Sequence, residues 1–175
     1  MDGTPACRLL GDVRRLWGDR LALVPTEHLR DNMPEDVRLF LAQVGLPVRS
    51  PTLVTFRDND RLGELISAGE AEFSAVADEA EATLGIKSGT HQIWAVHPEG
   101  LLPQRFVNSD LPRFLLLLAH FDDHLPDLRD ADNQQEARAL TGHLRRLFTV
   151  TDPIALTDPE SWWSLVLEQA DEGFM

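Results

Sequence analysis

The sequence predicts an α+β domain in which about five helices flank a compact run of mainly antiparallel strands. Two observations carry that prediction. Segments with apolar residues at helical spacing stand at both ends of the chain, while β-branched and aromatic runs separated by short turns occupy the middle. Its 175 residues are enough to bury a core without staples. The absence of repeats, low-complexity tracts and linkers predicts one domain spanning residues 1–175.

In "ACRLLGDVRRLWGDRL", Leu9, Leu10, Val13, Leu16 and Trp17 share one helical face, and Pro25 ends that unit. "MPEDVRLFLAQVGLP" opens on Pro34 and two acids, which suit a first helical turn, and stops at Gly45 and Pro47. Its apolar stripe is Val37, Phe40, Leu41 and Val44. Thr52 to Phe56 has strand composition, whereas Arg57 to Ala80 is acidic and weakly periodic and reads as loop with short strand pieces. "EATLGIKSG" reads as a strand ending at Ser88-Gly89. "HQIWAVH", "PEG" and "LLPQRFV" read as a hairpin, with Pro103 placing its second strand at an edge or bulge. Asn108, Ser109 or Asp110 caps the next helix, and another runs from about Asn133 to Phe148 with Ala137, Leu140, Leu144 and Leu147 inward. In "TDPESWWSLVLEQADEGFM", Asp158 reads as the cap of a last helix with Pro159 just inside and Gly173 as terminator.

The net charge is −13, with one lysine, Lys87, among sixteen basic residues. Such a field repels phosphate backbones, which argues against nucleic acid as a partner; it suits encounter with a basic protein, and it equally serves to keep a protein soluble. A single cysteine, Cys7, excludes an internal disulfide and reads as packing. The opening residues lack a basic segment followed by an apolar run, so no secretory signal is expected, and the longest apolar run, Phe114 to Ala119, is too short for a bilayer. These features predict a cytoplasmic protein with no membrane contact.

Within "FVNSDLPRFLLLLAHFDDHL", His120 and His124 stand one helical turn apart, the spacing at which two imidazoles can share a metal. They point away from the stripe Leu111, Phe114, Leu115, Leu118 and Phe121, on the side of Arg113 and Leu117. No HExxH or cysteine pair supplies further ligands, so a solvated helix end is the simpler expectation. GxSxG, GxxxxGK[ST] and GxGxxG stretches are absent. The acid pairs Asp58/Asp60 and Glu79/Glu81 read as solvated surface, and Trp162-Trp163 as core. No catalytic residue, cofactor or metal site is expected. The acids expected to face a partner are Asp58, Asp60, Glu64, Glu70 and Glu72 in one stretch, and Asp122, Asp123, Asp127, Asp130 and Asp132 in another.

Three stretches in order resemble the SUKH superfamily, especially its fourth immunity-protein family from bacterial polymorphic toxin systems. They are "MPEDVRLFLAQVGLP", "FVNSDLPRFLLLLAHF" and "DPIALTDPESWWSLVLEQADEG". Between Arg57 and Ala80 the pattern finds no register, which leaves the strand count open there. The resemblance implies a twisted sheet packed with helices and a non-enzymatic protein that binds a cognate toxin inside the producing cell. Many such toxins are nucleases with basic clefts. Gly45, Pro47, Asn108 and Trp162 are then scaffold, and toxin contacts lie on variable surface. Two alternatives stand beside it: a regulatory scaffold of the same fold, and a metal-dependent hydrolase using His120 and His124. Monomer and homodimer are equally open.

Overall fold

A computed structural model describes residues 5–48, 53–100 and 102–173, without the side chains of residues 5–8. The helices are α1 (Pro5–Trp17), α2 (Glu35–Gln43), α3 (Leu111–Arg129), α4 (Gln134–Thr151) and α5 (Trp162–Asp171). The strands are β1 (Leu21–Ala22), β2 (Leu46–Pro47), β3 (Thr55–Phe56), β4 (Leu65–Ala68), β5 (Ala71–Glu79), β6 (Ala82–Lys87), β7 (Ile93–Val96) and β8 (Arg105–Asn108). All pairings are antiparallel, so the α+β class and the five helices are as expected.

The main sheet runs β5-β6-β7-β8, with β3 and β4 sharing the outer side of β5. The expectation of loop with short strand pieces between Arg57 and Ala80 holds as far as β4 and is corrected at β5. That stretch contains β4 and the longest strand, β5, whose side chains from Phe73 to Ala77 are buried. A bulge between Ala75 and Ala77 bends β5 opposite Gly85 and Leu84. Gly85 is required by that close approach, because a Cβ there would lie 2.8 Å from Cβ of Phe73. The hairpin from β7 to β8 forms, β8 is the sheet's edge, and the strand starts only after Pro103. Cys7, Thr52 and Leu101 carry expectations that fall on side chains or residues outside those described; of the strand expected over residues 52–56, only Thr55–Phe56 is strand among the described residues.

One face of the sheet gives Val76, Ala77, Leu84, Ile86, Ile93 and Val107 to the main core. The opposite face holds a small separate cluster of Ala68, Phe73 and Val96, with Ala71 and Trp94 packed against it. Gln104 closes it by donating from Nε2 to the carbonyl of Ala68 at 2.8 Å.

α3 is the central helix and packs against α1, α4 and β8. Its apolar stripe is wider than expected, since Leu116, Leu117 and Ala119 are buried along with the predicted positions. A helix covered on several sides needs apolar residues on several sides. Asp110 is its N-cap, accepting from the Arg113 N–H at 2.9 Å, and Trp17 of α1 donates from Nε1 to the Leu115 carbonyl at 2.9 Å. Asn133 caps α4. The cap of α5 is Ser161, not Asp158; Asp158 instead holds the preceding turn by accepting from the Glu160 N–H at 2.9 Å. Gly45 ends α2 with φ +89, and a Cβ there would collide with the Ala22 carbonyl, so only glycine lets β2 dock on β1.

Candidate partner-binding surface

The two acidic stretches lie on different elements. Asp58, Asp60 and Glu64 belong to the loop between β3 and β4. Asp58 Oδ1 accepts from the Arg61 N–H at 3.1 Å, so it helps build its own turn. Glu64 is the partner of Arg57 at 2.8 Å, and Arg57 reaches Asp78 at the same distance with its own side chain only 6% exposed. Burial alone would raise the Asp78 carboxyl, but hydrogen bonds from Arg57 and Thr83 and the charges of Arg57 and Arg61 outweigh it and hold the group below its usual range. Asp60 is solvated and lies 3.8 Å from His28. Glu70 and Glu72 line a polar depression of about 710 Å³ with Lys87, Ser88 and Gln104 at the mouth of the satellite cluster.

The second stretch gathers at the end of α3. Asp122 is engaged by Arg20 at 3.6 Å. Asp123, Asp127, Asp130 and Asp132 are exposed, and among the described residues none of these four has an arginine or lysine within ion-pair distance.

The expectation of solvated histidines is corrected. His120 is half-buried between helices, and its ring is held below the usual histidine range, first by burial and also by the nearby charges of His124, Arg15 and His143, against the opposing pull of Asp123. His124 pairs Nδ1 with the His120 carbonyl at 2.8 Å, and its ring centroid lies 5.5 Å from that of His143 on α4. Among the described residues no group of three or more His, Cys, Asp or Glu is placed to hold a metal ion. Glu79 is corrected too: it is half-buried, and its Oε2 accepts from the Trp162 indole at 2.5 Å.

A surface that sequence reasoning missed lies on α2. Val37, Phe40 and Leu41 face the core, yet Leu39 on the opposite side is 52% exposed. It borders two open depressions of about 360 and 300 Å³. The signal was present in the sequence, as an apolar residue on the polar side of an amphipathic helix.

Compared with known protein families, residues 9–169 match the SUKH-4 immunity protein family. The chain belongs to that family. No curated protein and no solved structure matches it. Membership in SUKH-4 points to an immunity role in which a toxin is bound and neutralised. No described helix is long and apolar enough to cross a membrane.

Asn108 and Trp162, expected as scaffold in this SUKH-4 chain, are interior residues. Asn108 is fully buried at the end of β8 and takes the indole N–H of Trp163 on its Oδ1 at 2.9 Å. Its amide donates to Asp152 Oδ2 at 2.8 Å, while Ser109 donates its N–H to the same oxygen at 2.8 Å and its hydroxyl to Oδ1 at 2.7 Å. Trp162 and Trp163 are core, with ring centroids 4.6 Å apart. This network ties β8, the end of α4 and α5 together.

Proposed function

We propose that this SUKH-4 protein is a non-enzymatic inhibitor, a single unit over residues 1–175, that occupies a cognate toxin domain in the cytoplasm of the cell that makes both. The family match over residues 9–169 carries this reading. The net charge of −13 supplies the partner's chemistry: a basic domain, of the kind that works on nucleic acid. An acidic protein competes with a phosphate backbone for the same cationic cleft, and it needs no catalytic group to do so. Asp58, Asp60, Glu64, Glu70 and Glu72, with Asp122, Asp123, Asp127, Asp130 and Asp132, are the proposed source of the steering field. Glu64 and Asp122 contribute least, because arginines already engage them.

The test uses the purified toxin domain encoded by the neighbouring open reading frame. Stopped-flow association should slow steeply as salt rises from about 0.02 to 0.5 M, because exposed charges are screened over a few ångströms at the upper end. Charge reversal at Asp123, Asp127, Asp130 and Asp132 should lower the on-rate by about tenfold. Protection should be stoichiometric, with one inhibitor consumed per toxin. Absence of binding, or indifference to both salt and reversal, rejects the electrostatic reading; inactivation of toxin by a small fraction of an equivalent rejects the non-enzymatic one.

A further inference from the structure

The outer side of α2 combines an exposed apolar side chain with concave ground on both flanks. A lone exposed leucine is ordinary. Leu39 is not alone: the 360 Å³ depression on one flank is floored by Leu9, Leu10, Phe40 and Leu111, and the 300 Å³ depression on the other by Leu29 and Ala42. Each is large enough to receive a side chain from a partner, in the size range of small binding clefts. The rim carries the carboxylates of Asp31, Glu35, Asp36 and Asp110. Arg38 is held by Asp31 at 3.1 Å, Arg113 is held by Asp110, and Arg14 at one end donates to the Gln43 carbonyl at 2.9 Å. His91 lies 3.2 Å from Asp36. The rim therefore stays acidic, and Glu35 has no arginine or lysine partner among the described residues.

We propose that this face is the centre of the toxin contact, with Leu39 inserted between toxin side chains. An aromatic or branched aliphatic residue of the toxin fills the larger depression, and a flanking lysine or arginine meets Glu35 and Asp36. The arrangement has the anatomy of a binding hot spot, an apolar centre inside a charged rim that excludes water. Charge decides between occupants. A second copy of this chain would bring acidic rim against acidic rim, whereas a basic partner brings the complementary sign. The inference rests on the immunity reading and adds to it the place of contact.

The experiment measures binding of the neighbouring frame's toxin domain to full-length wild type, Leu39→Ala, Leu39→Arg, and Glu35→Gln with Asp36→Asn. Wild-type binding tests the function by itself; without it, the function and this inference both fall. Given wild-type binding, Leu39→Ala should weaken affinity about tenfold or more and Leu39→Arg about a hundredfold or more, mainly through faster dissociation. The double neutralisation should slow association severalfold and flatten its salt dependence. Melting temperatures should stay at the wild-type value, since Leu39 supports no core contact that burial would reveal. Unchanged affinity in Leu39→Arg overturns the inference while leaving the function standing. So does a wild-type dimer that Leu39→Arg converts to monomer, because the face would then belong to a second copy.

Discussion

Removing the Asp152 carboxylate tests whether the buried polar network is the joint of this fold. Asp152 is 1% exposed and accepts three hydrogen bonds: from the Asn108 amide, the Ser109 N–H and the Ser109 hydroxyl. Asp152→Ala strands all three donors. Each buried, unpaired donor costs about 1–3 kcal/mol, and the Ser109 hydroxyl can turn to another acceptor, so the loss should be about 3–5 kcal/mol. Asp152→Asn keeps the shape. Its amide oxygen can stand where Oδ2 takes two donors, and its NH2 can stand where Oδ1 was, with the Ser109 hydroxyl rotating to accept. Only charge assistance is lost, about 1–2 kcal/mol. Urea unfolding followed by tryptophan fluorescence reads both, and an unchanged slope is required for the comparison. If Asp152→Ala costs less than about 1 kcal/mol, or if the two variants cost the same, the network is not what joins β8 to α4 and α5.

Three further expectations follow from particular residues. Ala80 has φ +43 in the two-residue turn between β5 and β6, so Ala80→Gly should stabilise by about 0.5–1 kcal/mol, seen as a higher melting temperature; a lower one would mean the turn does not adopt that conformation. Glu79 is raised above its ordinary 4.5 first by burial, against the lowering pull of the Trp162 hydrogen bond and Arg105. The folded state thus binds the proton more readily than the unfolded one, and stability declines as pH climbs from 4.5 through the folded value. Glu79→Gln, which can still accept from Trp162, should remove that decline in urea midpoints taken across this window. For His120 the sign is opposite: its folded value lies below 6.5, so stability falls as pH drops through 6.5, and His120→Gln should flatten that fall. An identical acid limb in the variant would show that the ring is solvated after all.

The helices were legible because their signals are local. Asn133 before an amphipathic run, the Asn108-Ser109-Asp110 stretch before Leu111-Pro112, and Gly45 closing α2 each place an end by backbone chemistry within a few residues. β5 was not legible, and its sequence, AEFSAVADE, shows why. Ser74, Ala75 and Ala77 are buried in its central place opposite β6, yet they are residues that strand propensity disfavours, so tertiary packing overrides the local signal. The α5 cap failed for a different reason: Asp158-Pro159 and Ser161 are both good starts, and only the turn between them decides. On the surface, the acids were identifiable as residues but not as charges available to a partner. Nothing in the local sequence says that Glu64 meets Arg57 or that Arg20 reaches Asp122.

The end of α3 shows why stability alone does not account for this surface. Carboxylates in the last turn of a helix oppose its dipole, at about 0.3–1 kcal/mol each when exposed. Asp127 and Asp130 sit there with Arg129 as the basic residue of that turn, while Asp123 stands one turn earlier. Such placements weaken the free protein, and the deeply buried α3 core can carry that weakening. Under the proposed function the same charges become useful at a distance, because an unneutralised acidic lobe attracts a basic domain before any contact forms. Leu39 on the α2 face acts only after contact, through desolvation. The two act on different elements and at different stages of binding, so reversal at the α3 end should appear in the association rate and substitution at Leu39 in the dissociation rate. Their effects on affinity should then combine nearly additively, as those of separated sites do.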